Sequence, residues 1–414
     1  MPANYLHGAE IIENGTGIRP YRRASQSVIG VIGSAPDADD DKFPLNVPVL
    51  IKGSREEAAF LDMTGNGQGT LPQALDVIFK YLGALVVVVR IPDVNMNEDN
   101  FIENVVGEAM DINGLPTGIQ AFSIAKELTG YQPKLLVAPA LSQYPTYNVE
   151  LGLVDMPIAA ALEEMAEDLR GIAIVEAPMI NENLVPLASY NNTVRARELF
   201  DSRRLYMVDS MGVNLSNPES FEFVSSSASV VGAIALNDME NGIHVSPSNR
   251  PLKGFNTTVR PIPFRFGDPN CEANLLNEKN VAVIINHNGM HLWGGRVCSD
   301  DPQWQFINHV RLQDMILDSL LESHLWAIDK NITKNYTEQV TENVNSFLRG
   351  LQKDGVISGG TCWVDPDKNT ATSMEAGQVY FSFDYGRYGV AEHIIFDASI
   401  NQDYTIEAVL GNAA

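Results

Sequence analysis

The 414-residue sequence predicts an α/β fold whose first part is a mostly parallel sheet covered by helices. Apart from Ser27 and Arg90 at their ends, residues 27–33 and 84–90 are continuously apolar and rich in β-branched side chains, a pattern typical of strands buried on both faces. Such runs alternate with helical segments as far as residue 236, and this alternation is typical of parallel sheets. Five prolines between residues 247 and 269 then end the alternation, which indicates a domain boundary.

The elements of this first part follow from local signals. Thr70 stands where an N-cap is expected, with Gln73 at the capping-box position. Pro157 occupies the first turn of a later helix that Asp155 would cap. The predicted strands are residues 27–33, 48–51, 84–90, 134–138, 171–175 and 204–208. The predicted helices are residues 70–82, 118–128, 155–169, 192–200 and 225–236.

The second part is predicted to be α+β. Asn288 and Gly289 form the dipeptide that favours a two-residue hairpin turn, and one of the later helices has an apolar face. The last segment alternates between apolar and polar residues, as a strand does. The predicted elements are a hairpin of residues 280–285 with 290–293, helices at 304–329 and 337–353, a hairpin of 378–384 with 391–396, and a final strand at 404–409.

Charge and composition limit the classes of partner. With 28 basic and 52 acidic residues the formal net charge is -24, which argues against nucleic acid and anionic membranes because both attract basic surfaces. No apolar stretch approaches the ~20 residues of a membrane helix, and the first residues lack the pattern of a signal peptide. We therefore expect synthesis in the cytoplasm and no insertion into a membrane. The three cysteines lie far apart, which is typical of free thiols.

No group of residues meets the requirements of a catalytic or metal site. His287 and His291 have the spacing of a helical metal pair but flank a predicted hairpin turn. Residues 37–41 are acidic but lack the spacing of a calcium loop, and the glycine-rich residues 65–69 lack the Lys-Ser/Thr of a phosphate-binding loop. The chain also has no G-x-S-x-G elbow. We therefore expect no catalytic residue, cofactor or metal.

Both ends of the chain are strand-like without an evident partner in the sequence. Because an unpaired strand exposes main-chain N–H and C=O groups, one solution is to donate it to the sheet edge of a neighbouring molecule. Pairing within the chain, or fraying, is the alternative. The expected donor residues are Tyr5, Ile11, Ile12, Tyr404, Ile406 and Val409. The expected acceptor is the late hairpin, with Val379, Phe381, Phe383, Ile394 and Phe396.

Several motifs resemble those of the tail sheath proteins of contractile-tailed bacteriophages, in the compact subgroup that is also similar to R-type pyocin sheaths. The motifs are LHGAE at residues 6–10, DxNxEANxLNE at 268–278, LWGGRVCSDDP at 292–302, HLWAIDKNIT at 324–333 and LQKDGVISGGTCW at 351–363. The resemblance extends over about residues 5–410 and is most specific in the third motif.

The resemblance implies a subunit in two parts. An N-terminal arm (residues 1–22) would lead into an outer three-layer α/β domain (23–260), likened in fold to subtilisin but without its catalytic triad. An inner α+β domain (261–400) would grip the tail tube, and a C-terminal arm (401–414) would complete the chain. The expected tube contacts are charged side chains on and beside helix 337–353, namely Lys334, Arg349 and Lys353.

The resemblance also implies a function. Subunits would form hexameric rings, stacked helically around the tail tube, and would contract to drive the tube through the host envelope. The implied partners are the tail tube, baseplate and tail terminator proteins, and the implied location is the virion tail. Two alternatives stay open: the sheath of a non-phage contractile injection system, and, from another class, an α/β hydrolase or nucleotide-binding enzyme.

Overall fold

The computed structural model describes residues 24–93, 100–148, 152–179, 188–217 and 220–410. Within these residues the strands are β1 (Ile29–Ser34), β2 (Pro48–Lys52), β3 (Leu85–Ile91), β4 (Leu135–Val137), β5 (Thr146–Asn148), β6 (Gly152–Asp155), β7 (Ile172–Glu176), β8 (Leu205–Asp209), β9 (Gly212–Asn217), β10 (Ser220–Val224), β11 (Arg250–Pro251), β12 (Thr257–Thr258), β13 (Ala282–Asn286), β14 (Met290–Trp293), β15 (Gly359–Val364) and β16 (Phe381–Gly386).

The α-helices of the same residues are α1 (Arg55–Ala58), α2 (Thr70–Ile78), α3 (Phe101–Val106), α4 (Ala125–Thr129), α5 (Pro157–Asp168), α6 (Tyr190–Glu198), α7 (Ser226–Asn241), α8 (Glu272–Glu278), α9 (Ile307–Ser323), α10 (Lys334–Lys353), α11 (Ala371–Glu375) and α12 (Asp403–Leu410). Short 3-10 turns occupy Ala59–Leu61, Gly118–Ile124 and Leu325–Ala327. Among the described helices, none is long and apolar enough to cross a membrane.

Nine strands of the described chain form one mixed sheet, in the order β11-β14-β13-β8-β7-β4-β1-β3-β2. The strands from β13 to β3 run parallel, whereas β2 at one edge, and β14 and β11 at the other, pair antiparallel. Ile29 of β1 lies between Val86 of β3 and Leu135 of β4. The predicted strands of the first part are confirmed, because only runs that are apolar on both faces can occupy the centre of a sheet covered on both sides.

Helices cover both faces of this sheet, so the first part of the chain has three layers. One face packs on α3, α4, α5, α6 and α8, with Phe122, Leu162 and Leu276 in its core. The other face packs on α2 and α7, with Leu75 and Ile234 in its core. The predicted α/β class is therefore confirmed.

The predicted caps of two helices in this part are wrong. Helix α2 has Gly69 as its N-cap, and Thr70 Oγ1 accepts a hydrogen bond from the main chain of Ser34 at 3.1 Å. Thr70 therefore links the helix to β1 through a hydrogen bond and does not cap the helix. Helix α5 has Met156 at its N-cap position, and the Asp155 carboxylate accepts a hydrogen bond from the Met156 N–H at 2.7 Å.

The first predicted hairpin of the second part is confirmed, but it belongs to the large sheet. Strands β13 and β14 pair antiparallel around a turn in which Asn288 and Gly289 have positive φ angles of 55° and 124°. Strand β13 also pairs in parallel with β8, with Ala282 opposite Val208. The sheet therefore extends beyond residue 260, the predicted end of the outer domain.

A separate hydrophobic cluster lies beyond the sheet. It contains Met315 and Ile316 of α9, Phe347 and Leu348 of α10, and Cys362 of β15. Helix α9 joins the two cores, because the start of the same helix packs against the sheet layer. Strands β9, β10 and β12 form a further three-stranded sheet, which was not predicted from the sequence.

Candidate assembly surfaces

The predicted acceptor hairpin of residues 378–384 with 391–396 does not form. Strand β16 pairs antiparallel with β15 instead, with Cys362 opposite Phe383, and residues 391–396 have no regular secondary structure. The physical reason is visible just after β16. Arg296 forms an ion pair with Glu392, which draws the chain towards the start of α9 and away from the strand that it would have to pair with.

The five predicted acceptor residues therefore do not form one surface. Phe381 and Phe383 lie on β16 and pack against the cluster formed by α9 and α10. Val379 is half-buried just before the strand. Ile394 and Phe396, at 67% and 88% exposure, lie in the segment that leaves the subunit.

The two-stranded sheet β15–β16 has two different outer edges. The side chain of Asn345, on α10, binds both main-chain groups of Cys362: it accepts from the N–H at 2.8 Å and donates to the C=O at 3.0 Å. The outer edge of β15 is therefore covered at its middle. In the described part of the chain no third strand lies beside β16. Because antiparallel strands pair through exposed N–H and C=O groups, β16 provides the open edge.

The predicted C-terminal strand is wrong, because residues 403–410 form helix α12. A helix satisfies its main-chain groups within one segment, whereas a strand needs a partner that a single copy does not supply. Tyr404 and Val409 are exposed, at 72% and 75%, and the side chain of Ile406 lies outside the described residues. Before the helix, Ile395 and Ile400 are also exposed.

The N-terminal donor residues Tyr5, Ile11 and Ile12 lie outside the described residues. The chain enters the described part at residue 24, beside α9. The main-chain N–H of Ala24 donates to Ser319 Oγ at 3.0 Å, and Gln26 Nε2 donates to Asp318 Oδ2 at 2.9 Å.

The three predicted tube contacts lie on α10 and are exposed. Lys334 is near Glu338, with 3.7 Å between Nζ and Oε1, and Arg349 forms an ion pair with Glu342. Lys353 is exposed in the last turn of the helix. The opposite face of α10 is buried through Val344, Phe347 and Leu351 among others, so the charged face points away from the core.

A network of buried ion pairs around α9 was not predicted from the sequence. Arg204, at the start of β8, binds Asp314 of α9, and both side chains are 4% exposed. Asp318, one turn further along, binds Lys134 at 2.6 Å and Arg170 at 3.1 Å. Burial raises the pKa of Asp314, and the Arg204 guanidinium opposes this effect. A signal for it was present, since charged residues recur at positions 311, 314 and 318 within an otherwise apolar helix face.

The glycine-rich loop and the buried cysteines, which the sequence singled out, have roles within the fold. The Asp62 carboxylate accepts hydrogen bonds from the main-chain N–H groups of Gly65 and Gly67, both at 2.9 Å, which occupies the amides of the glycine-rich loop. Burial raises the pKa of Cys298 to about 12 and that of Cys362 to about 11, so both thiols stay protonated at neutral pH. Within the described residues, no group of three or more His, Cys, Asp or Glu side chains could hold a metal ion.

Known proteins match this chain in sequence and in fold. Residues 299–401 match the family model described as the phage tail sheath C-terminal domain. The chain is 32% identical to a prophage major tail sheath protein of Pseudomonas aeruginosa, over 98% of this chain and 99% of that protein. It is 28% identical to the tail sheath protein of Escherichia phage P2, over 98% of both chains.

Solved structures share the fold at lower identity. The anti-feeding prophage helical sheath in its contracted state has a TM-score of 0.69 and 15% identity, over 96% of this chain and 100% of that chain. The sheath complex of the PVC extracellular contractile injection system has a TM-score of 0.67 and 16% identity, over 97% and 99%. Its fold is that of contractile sheath structures, and the chain belongs to the phage tail sheath family.

Proposed function

We propose that copies of this chain form hexameric rings, stacked helically around a tail tube, which contract to drive the tube through the host envelope. The subunit would be made in the host cytoplasm and would become part of the virion tail. Its neighbours would be the tail tube, baseplate and tail terminator proteins. Family membership and the sheath-like fold support this proposal.

The observation that carries the proposal is the exposed apolar segment after β16. Ile394, Ile395, Phe396 and Ile400 are 67–90% exposed in a single copy. Burying each such side chain contributes about 1.5–3 kcal/mol, so a partner that covers all four would gain several kcal/mol. Contiguous exposed apolar residues of this kind mark protein–protein contacts.

A strand of one copy added to the open edge of another would cover this segment. We assign residues 391–396 as the C-terminal donor strand and the β16 edge of a neighbouring copy as the acceptor. The N-terminal donor residues would be Tyr5, Ile11 and Ile12. Because donor and acceptor are different surfaces, the contact is heterologous and can continue without closing, as a helical polymer requires.

The two parts of the subunit would have different tasks. The three-layer part would be the outer domain, with a subtilisin-like fold. It would continue through the β13–β14 hairpin, because that hairpin extends its sheet. The inner part would grip the tube through Lys334, Arg349 and Lys353 on α10. Each exposed ion pair contributes only about 0–1 kcal/mol. Many copies acting together would hold the tube, and contraction could still break each contact.

A second candidate is the sheath of a non-phage contractile injection system. It is favoured by the two solved structures described above, which come from such systems and match nearly the whole chain. The genes beside the coding sequence separate the two: capsid and packaging genes favour a phage, whereas their absence beside a complete tail cluster favours an injection system.

The test replaces two exposed residues of the proposed donor strand, in the variant Ile394→Ser with Phe396→Ser. Its matched control, Met110→Ser with Ile112→Ser, changes two apolar residues that are similarly exposed, in the loop that follows α3. Electron microscopy of the purified proteins should show long hollow cylinders for the wild type and the control. The donor variant should stay monomeric with an unchanged melting temperature. Cylinders of the donor variant at wild-type concentration would refute the assigned strand.

A further inference from the structure

Residues 385–392, here named the C-terminal clamp, run from the last two residues of β16 to the beginning of the donor strand. The clamp is fastened to the start of α9 and to the chain that precedes it. The Tyr385 hydroxyl forms a hydrogen bond with Gln313 Oε1. The Arg387 guanidinium donates to the C=O of Gln303 at 3.1 Å and lies over the Trp304 ring, 4.9 Å from its centroid.

The end of the clamp at residue 392 is held by an ion pair between Arg296 and Glu392 with several short contacts. Arg296 Nη2 is 2.6 Å from Glu392 Oε2, and Arg296 Nε is 3.0 Å from each carboxylate oxygen. Bidentate pairing of this kind fixes the relative orientation of the two side chains as well as the distance between them. Between the two ends, His309 Nε2 lies 3.0 Å from the C=O of Tyr388. The chain is therefore held at several points immediately before it becomes exposed.

Residues 24–26, at the base of the N-terminal arm, are bound along the same helix. Ala24 and Gln26 bind Ser319 and Asp318, and the Arg311 guanidinium donates to the C=O of Gln26 at 2.9 Å. From residue 309 to residue 319 a helix rises about 15 Å. Residues 24–26, which follow the N-terminal arm, and the clamp, which precedes the donor segment, are therefore both attached to α9.

We propose that α9 holds the bases of both arms in fixed positions, and that Arg296 and Glu392 are positioning residues that set the direction in which the donor segment leaves. The proposal rests on the proposed function, because it needs the arms to link copies. A clamped base removes the conformational freedom of residues 387–392, which raises the effective concentration of the donor strand at its acceptor. Without the clamp, more protein should be needed to form a polymer.

The test uses the full-length variant Glu392→Ala, with Asp76→Ala as its matched control. Asp76, on α2, likewise forms solvent-exposed ion pairs, with Arg55 and with Lys80. The readouts are the concentration at which cylinders form, measured by sedimentation and electron microscopy, and the melting temperature of the monomer. We expect a rise of about tenfold in this concentration for Glu392→Ala. The control should assemble as the wild type does, and both variants should melt within a few degrees of it.

A second variant exchanges the charges, Arg296→Glu with Glu392→Arg, and should recover part of the loss because the pair can form again. If Glu392→Ala assembles at the wild-type concentration, or if the control is impaired equally, the clamp proposal is wrong. A large fall in the melting temperature of Glu392→Ala would also overturn it, because the loss would then come from folding. If the wild type itself forms no cylinders, the proposed function fails first.

Discussion

Replacing Arg204 by methionine removes the cation from one of the most deeply buried ion pairs around α9. Both partners, Arg204 and Asp314, are 4% exposed, so the substitution leaves a carboxylate inside the protein without its guanidinium. Breaking a buried pair in this way costs about 3–5 kcal/mol, a large fraction of a typical stability of about 5–15 kcal/mol. Glu167 loses a contact as well, but at 56% exposure this adds less than about 1 kcal/mol.

The loss should depend on pH. Burial already raises the pKa of Asp314 above its ordinary value, and the loss of Arg204 raises that pKa further. A carboxyl group whose pKa is higher in the folded state than in the unfolded state favours folding at low pH, and this advantage disappears as the pH rises through the folded pKa. Arg204→Met should therefore be destabilised more at pH 8 than at pH 5.

Urea unfolding of the monomer at both pH values measures this effect. The double variant Arg204→Met with Asp314→Leu should recover most of the stability, because it removes both charges. A loss below about 1 kcal/mol for the single variant would show that the pair behaves as an exposed one. An equal loss at pH 5 and pH 8 would contradict the assignment of the effect to Asp314.

Three further predictions concern other parts of the molecule. Cys298→Ser should keep assembly but lose about 1–3 kcal/mol in urea unfolding, because it places a hydroxyl at a fully buried position; bound metal lost with the thiol would contradict this. The Asp365 carboxylate accepts from Ser382 and pairs with Lys368, which lowers its pKa to about 2. Its stabilising contribution is therefore complete above pH 3.8 and is lost as the pH falls through about 2. In Asp365→Asn the melting temperature should therefore change less with pH over this range than it does in the wild type. Reversing charge at Lys334, Arg349 and Lys353 together should leave polymerisation of the sheath alone intact and prevent assembly on tube at physiological salt; normal co-assembly would place the tube contact elsewhere.

The buried sheet could be predicted because its signal is physical and local. A run such as residues 85–91 is apolar at every position except Arg90, and such a run is stable only between two covering layers. The β13–β14 hairpin was predictable for a similar reason, since Asn288 and Gly289 accept the positive φ angles that the turn requires. Neither signal says which strands become neighbours, so the pairing of β13 with β8 was not predicted.

The assembly surfaces were harder to predict because they depend on distant contacts. Strand β15 begins with Gly359 and Gly360, which weaken a strand signal, and its position depends on Asn345 of α10. The path of residues 391–396 depends on several long-range contacts, such as the ion pair between Arg296 and Glu392, almost a hundred residues apart. Alternation in residues 404–409 is compatible with a strand, but a strand needs a partner and the single chain forms a helix there.

The most direct test of strand donation is a cryo-electron microscopy map of the assembled cylinders in which the β15–β16 sheet can be traced. The proposal predicts that this sheet gains at least one strand from another copy, that residues 391–396 supply a strand at the edge of β16, and that Asn345 stays bound to Cys362. A sheet that keeps only β15 and β16 in the polymer, with Ile394 and Phe396 in contact with their own subunit, would contradict it.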